Sequence, residues 1–229
     1  MITDVLTETL WPTRCVICDY PGKLLCKACT KKLGYIDALL ACPHCGSPYG
    51  SIQCTECADE TTRAAISHLD ACCSVGLLQR GFGIIVTTYK DRNEQRLGSY
   101  IATLINHRIP TSWLSGCQAL TTIPDSRAAK ARRGFDHMIP IAQEISRQVG
   151  IPYQELFYPP ITQDQRILGR HDRFANMNRT FILRHVQTLP QNVIVIDDVF
   201  TTGATLNAAA TVLKEHGVMC VRGVTLARA

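Results

Sequence analysis

Residues 193–206 read VIVIDDVFTTGATL: four apolar residues, two adjacent aspartates, two more apolar residues, then threonines and a glycine crowded together. The β-branched apolar run suits a strand buried on both faces. Leu206, Ala209, Ala210 and Leu213 recur at helical spacing and suit a helix ending at Gly217. The residues between strand and helix then lie at the carboxyl end of a sheet, where α/β proteins bind ligands. Thr201, Thr202, Gly203 and Thr205 surround the helix N-terminus, whose free backbone N–H groups and positive dipole end attract an anion. Two carboxylates just before a phosphate cradle would repel that phosphate unless they serve another part of the ligand. Asp197 and Asp198 suit the vicinal hydroxyls of a ribose whose 5′-phosphate fills the cradle. Helix capping by a threonine is the plainer alternative, and it accounts for one hydroxyl. Neither GxxxxGK[ST] nor GxGxxG occurs, so triphosphate and dinucleotide sites lack their usual loops.

Cysteine supplies the second chemistry. Eight of the 12 cysteines form four CxxC pairs, Cys15/Cys18, Cys26/Cys29, Cys42/Cys45 and Cys54/Cys57. Each pair can form a knuckle aimed at one metal, and two knuckles complete the tetrahedron zinc prefers. Joining neighbours gives one zinc held by Cys15, Cys18, Cys26 and Cys29 and another by Cys42, Cys45, Cys54 and Cys57; a cross-braced pairing, first pair with third, stays open. Four thiolates leave no position for water, so both sites are structural. His44, inside CPHC, is a spacer or a substitute ligand, and Cys72, Cys73, Cys117 and Cys220 read as small core residues. Each tetrathiolate zinc subtracts two charges, so the formal +5 falls to about +1, and net charge gives little support for an anionic partner.

A chain of 229 residues with 46% hydrophobic side chains can bury one full core plus a satellite. The expected division is a zinc-binding module at 1–60 and an α/β domain at 61–229. Leu97, Ile101, Leu104 and Ile105 mark one helix face, and Met138, Ile141, Ala142, Ile145 and Val149 another that stops at Gly150. Strands are expected at 119–123, 193–196 and 220–226, with a further one near Cys72, which gives helices packed on a mainly parallel sheet. The start, MITDVLTETLWPTRC, carries acids and no cationic stretch before an apolar run, and no apolar window reaches the length of a membrane span. With reduced, metal-binding cysteine, this points to the cytoplasm and to no membrane insertion.

Strand, paired acids and T-T-G-x-T together resemble the phosphoribosyl pyrophosphate (PRPP) motif of type I phosphoribosyltransferases. With the cysteine module, the chain is similar to the ComF family, which joins N-terminal zinc ribbons to a phosphoribosyltransferase domain. Tyr89-Lys90, IPDSRAAKARRGFDH at 123–137 and QRILGRHDRFANMNRTF at 165–181 fall in the family's order. Where the family usually shows RGFNQ, this chain has Arg133, Gly134, Phe135, Asp136 and His137. The resemblance implies that Asp197 and Asp198 hold the ribose hydroxyls of PRPP or a ribose 5-phosphate, and that Thr201, Thr202, Gly203, Ala204 and Thr205 hold its 5′-phosphate. It also implies a pyrophosphate loop at Pro124, Asp125, Ser126 and Arg127, and magnesium arriving with PRPP. It implies a part in DNA uptake during natural transformation, with single-stranded DNA and other uptake proteins as partners. An active phosphoribosyltransferase of unknown acceptor and a PRPP-responsive regulator are the alternatives. In purine-salvage relatives an aspartate often stands three past the paired acids; here it is Thr201, a poor general base.

Arg127–Arg133, RAAKARR, carries four cations and no acid. It reads as a loop that clamps pyrophosphate, tracks a nucleic-acid backbone, or is simply solvated. Lys130, Arg132, Arg133 and Lys90 are the nucleic-acid candidates, with Lys31, Lys32, Arg92 and Arg96 as an extension. Phe135 and His137 can stack on unpaired bases, or serve packing and a helix start.

Overall fold

In the computed structural model, residues 12–160 and 181–229 are described. The first eleven residues and most of the family-like stretch at 165–181 lie outside them. The short apolar segments form β1 (Ala71–Leu77), β2 (Ala119–Thr122), an antiparallel pair β3 (Phe157–Tyr158) and β4 (Ile182–Leu183), then β5 (Asn192–Phe200) and β6 (Cys220–Arg228). β1, β6, β5 and β2 lie in that order in one sheet, every neighbouring pair parallel, so their carboxyl ends share one side. Among the described residues the α-helices are α1 (Lys27–Lys31), α2 (Thr55–Ala58), α3 (Glu60–Ala65), α4 (Gly83–Lys90), α5 (Gly98–Arg108), α6 (Thr111–Leu114), α7 (Arg127–Arg133), α8 (Met138–Val149) and α9 (Ala204–Glu215). Among the described residues no helix is long and apolar enough to cross a membrane.

Strand alternation sorts the core into two halves. Ile194 and Ile196 of β5 join Val75, Val224 and Leu226 on the face covered by α4, α5 and α8. Val193 and Val195 join Cys72, Val221 and the α9 residues Leu206, Ala209 and Leu213 on the other. Both faces are therefore covered, as the apolar runs require. α8 buries Met138, Ile141, Ala142 and Ile145 and stops at Gly150, whose φ of +72° is left-handed.

The cysteine-rich segments join both halves. Cys15, Cys29, Leu24, Leu25 and Leu33 pack with Val75, Phe82 and Ile85 on the first face, whereas Cys42 and Cys45 pack with Ile66, Phe200 and Leu206 on the second. Backbone bonds tie them to β1: Ile36 N–H donates to the Val75 carbonyl at 3.0 Å, and Cys72 N–H to the His44 carbonyl at 2.6 Å. Cys72 and Cys73 are core residues as expected, while Cys117 and Cys220 are half-buried.

Two expectations need correction. RAAKARR is the helix α7 rather than a loop: Ser126 Oγ accepts from the Ala129 N–H at 3.2 Å as its N-cap, alanine and arginine favour helix, and Gly134 at φ +82° ends it. The central strand does not stop before the acids, because β5 runs on through Asp197 and Asp198, with Asp197 opposite Thr225 and Phe200 opposite Arg228.

Candidate functional site

Because β5 continues through the acids, its alternation sends their side chains to opposite faces. Asp198 shares the side of Ile194 and Ile196 and meets α4 and the start of α8. There Oδ2 is ion-paired with Lys90 and lies 3.1 Å from His137 Nε2. Burial pushes the Asp198 carboxyl up, but the His137 hydrogen bond and the Lys90 charge outweigh it and hold the group below the usual carboxylate range. Asp197 turns to the α9 face and is only 9% exposed. Its Oδ1 accepts the Asp198 N–H at 2.9 Å, and it forms no ion pair among the described residues. Burial, then the neighbouring Asp198 charge, raises its carboxyl well above the usual range. A pair of solvent-facing acids is thus not what the fold builds: one is charged and clamped, the other buried and inclined to hold its proton.

The loop after β2 joins the same network. Asp125 Oδ2 accepts from His137 Nδ1 at 2.8 Å, and Oδ1 ion-pairs with Arg133 Nη1 at 2.6 Å. Both ring nitrogens of His137 face carboxylates, which only accept, so both carry hydrogen and the ring is an imidazolium. Burial alone would lower its pKa, but the bonds to Asp125 and Asp198 carry it to about 9. Burial would raise Asp125; the bonds from His137 and Arg133 hold it at about 2 instead. Tyr89 Oη donates to the His137 carbonyl at 2.7 Å, so neighbouring residues of α4 fix both ends of the clamp. Asp136 supports the turn by accepting from the backbone N–H groups of Asp125 and Met138 at 3.2 and 3.3 Å. Asp125, Asp136 and His137 offer ligand atoms within 4.8 Å of one another, but those atoms are already engaged in these bonds.

The cradle follows β5. Thr201 and Thr202 are exposed, Ala204 and Thr205 half-buried, and Gly203 is the N-cap of α9 with φ +79°. Glycine is needed there twice over, since a Cβ would also stand 2.5 Å from Ile66 Cγ2 and 2.6 Å from Phe200 Cζ. Gly203 offers no side-chain cap, and Thr202 Oγ1 accepts from the Ala204 N–H at 3.4 Å. Among the described residues a single threonine therefore takes up one donor, which leaves the rest of the first turn for an anion.

The basic candidates divide. Arg127, Lys130 and Arg132 are exposed on α7. Lys130 borders a groove with Thr122, Tyr153, Glu155 and Arg184. Arg133 turns inward to Asp125, with its Nε buried and without a partner among the described residues, and Lys90 turns inward to Asp198. His137, read as a stacking or helix-start residue, starts α8 and also bridges the two halves of the site. The departure from RGFNQ was its one signal in the sequence, since Asp125 and Asp198 come from distant segments.

The cysteines assemble as neighbours, not cross-braced: the sulfurs of Cys15, Cys18, Cys26 and Cys29, and those of Cys42, Cys45, Cys54 and Cys57, each lie within 4.8 Å of one another. Sulfur separations of 3.8 Å for Cys18 and Cys26, and 3.8 and 3.5 Å for Cys42–Cys57 and Cys45–Cys54, suit a tetrahedron of bonds of about 2.3 Å, whose edge is about 3.8 Å. The Cys29 and Cys57 N–H groups donate to the Cys26 and Cys54 sulfurs at 3.4 Å, as knuckle geometry allows. Both sets fit zinc, which would supply cross-linking and no reactive position. His44 Nδ1 lies 3.8 Å from Cys57 Sγ, outside the ligand set.

A family model for the phosphoribosyl transferase domain matches residues 139–229. Competence protein F of Haemophilus influenzae is 28% identical over 94% of this chain and 97% of its own length. Competence protein ComFC of Streptococcus pneumoniae is 28% identical over 46% of each chain, and the DNA utilization protein YhgH of Escherichia coli O157:H7 is 23% identical over 95% and 97%.

Proposed function

The chain belongs to the ComF family, and we propose on that premise that it serves DNA uptake and binds PRPP or a ribose 5-phosphate at the carboxyl end of its sheet. The observation that carries the reading is convergence. The open first turn of α9, the paired acids of β5 and the loop after β2 meet at one end of the sheet, and His137 joins the last two. The cradle through Thr205 takes the 5′-phosphate, Asp198 and Asp197 take ribose hydroxyls, and Pro124, Asp125, Ser126 and Arg127 border the pyrophosphate. Arg133, already beside Asp125, keeps a buried Nε donor for that anion. Magnesium would come with the ligand, bridging phosphate oxygens to a carboxylate. Exposed Arg127, Lys130 and Arg132 give single-stranded DNA a backbone contact next to the sugar-phosphate site, in keeping with relatives named for competence and DNA utilization. The zinc module at 1–60 and the remainder at 61–229 are the units of this proposal, and the cytoplasm is its location.

Calorimetric titration with ribose 5-phosphate, and with PRPP plus magnesium, tests the site. Both bind and compete, and Asp198→Asn weakens both by about tenfold or more, since charge-assisted hydrogen bonds of about 1.5–3 kcal/mol are lost. Absence of binding by either compound refutes the proposal. Pyrophosphate release in the presence of acceptor pools would instead make the chain a transferase.

A further inference from the structure

Arg228, near the carboxyl end of β6, is 3% exposed and belongs to none of the motifs above. A buried guanidinium demands partners for its charge and its fork of donors, and here they come from two directions. Nη1 donates to the Cys45 carbonyl at 2.8 Å, and Nη2 ion-pairs with Glu56. Cys45 is a member of the second cysteine cluster, and Glu56 stands between two others, Cys54 and Cys57. Ser47 Oγ, from the same segment, donates to Glu56 Oε1 at 2.7 Å. On its other side the guanidinium lies 4.1 Å from the centroid of the Phe200 ring, a cation–π contact to its register partner in β5. That ring is the wall against Gly203, where the phosphate cradle begins.

We propose that Arg228 is a positioning residue of the cradle and that the second cysteine cluster, by gripping Arg228, sets how well the cradle holds a phosphate. The inference rests on the reading of the cradle as a phosphate site. A metal held by Cys42, Cys45, Cys54 and Cys57 fixes the Cys45 carbonyl and Glu56 as one rigid anchor. The anchor holds the guanidinium over Phe200, and Phe200 holds the left-handed Gly203 that presents the first N–H groups of α9. Losing the metal frees the anchor, strands a buried charge and removes the cover from Phe200. The first cluster makes none of these contacts, for its neighbours are Leu33, Val75 and Phe82. Linkage is reciprocal, so a phosphate in the cradle must tighten the second cluster and leave the first unchanged.

The test uses the full-length zinc-loaded protein and ribose 5-phosphate as the probe. Its affinity is measured by calorimetry. The protein is then exposed to a slow alkylating agent with and without saturating probe, and each cysteine's modification is followed by mass spectrometry. The expected result is modification about fivefold slower or more at Cys42, Cys45, Cys54 and Cys57, with no change at Cys15, Cys18, Cys26 and Cys29. Glu56→Gln keeps all four sulfurs and removes only the charge that grips Arg228; it weakens the probe about tenfold and abolishes the selective protection. Glu56→Gln combined with Arg228→Met removes the stranded charge, so folding recovers while affinity does not. Bound probe with equal protection of both clusters, or of neither, overturns the coupling while the phosphate site stands, as does wild-type affinity in Glu56→Gln. No binding of the probe to the wild type overturns both readings.

Discussion

On the face of the sheet covered by α4, α5 and α8, Asp198 is clamped by Lys90 and His137; on the α9 face Asp197, one residue away, is buried with no ion pair among the described residues. The two cysteine clusters repeat the contrast. The first packs around Phe82 behind α4, the helix that supplies Tyr89 and Lys90, and the second reaches through Arg228 and Phe200 toward the cradle. A strand reverses its side chains at every residue, so a motif that reads as one unit is served by two different cores. One face supplies charge compensation and the other supplies shape. Adjacent aspartates acquire opposite protonation tendencies because one faces cations and the other is buried beside its charged neighbour.

The largest expected effect comes from metal removal, which acts on both faces at once. Elemental analysis should find about two zinc ions per chain. Because each cluster shares a buried core with the sheet, chelation should lower Tm by more than about 10 °C, given several kcal/mol per site and about 2–4 °C per kcal/mol at this length. A single transition is expected. A zinc-free protein with unchanged Tm would show that the two cores stand without their clusters, and the comparison would lose its foundation.

Next come the acids themselves, compared by urea unfolding at pH 7. Asp198→Asn strands Lys90 and His137 in a largely buried site and should cost about 3–5 kcal/mol. Asp197→Asn replaces a carboxyl already inclined to be neutral with an amide of the same shape, and should change stability by less than about 1 kcal/mol. Equal losses would mean that the two faces do not separate the pair.

The sheet, the long helices and the two cysteine sets were legible because each rests on local periodicity or on a fixed spacing. Val193 to Ile196 announces a buried strand, Met138 to Val149 an amphipathic helix, and four CxxC pairs a tetrahedral donor set. What stayed hidden depends on register and distance. Nothing near Arg228 says that it lies over Phe200, and nothing near His137 says that Asp125 and Asp198 will arrive on either side of its ring. The helical character of α7 rests on its alanines and its serine cap, signals weaker in the sequence than its run of four charges.

The pH dependence of stability sharpens the charged face. His137 has a folded pKa of about 9, above its ordinary 6.5, so its contribution is fully present below about pH 6.5 and is lost as pH rises through 9. The shift corresponds to about 3 kcal/mol. Asp125, lowered to about 2 from 3.8, contributes above about pH 4 and loses that contribution as pH falls through 2. Asp197 also favours its protonated form, so the alkaline limb is best measured in Asp197→Asn, where it belongs to His137. A flat profile between pH 6.5 and 9.5 in that background would show that the imidazolium bridge does not form.

The smallest effect on stability belongs to α7, and it separates the DNA surface from the sugar-phosphate site. Arg127, Lys130 and Arg132 are exposed, so replacing all three with alanine should change stability by no more than about 1 kcal/mol. Arg133 is left in place because its guanidinium holds Asp125. If the helix tracks a single strand, the three substitutions should flatten the slope of log affinity against log salt by up to about 2, at about 0.7 per phosphate contact. Ribose 5-phosphate lacks the pyrophosphate that Arg127 would border, so its affinity should hold. An unchanged DNA slope with weakened PRPP binding would assign α7 to pyrophosphate alone. Parallel loss of DNA and ribose 5-phosphate would mean that both occupy the cradle, so that one phosphate groove serves two ligands in turn and the exposed helix only guides them to it.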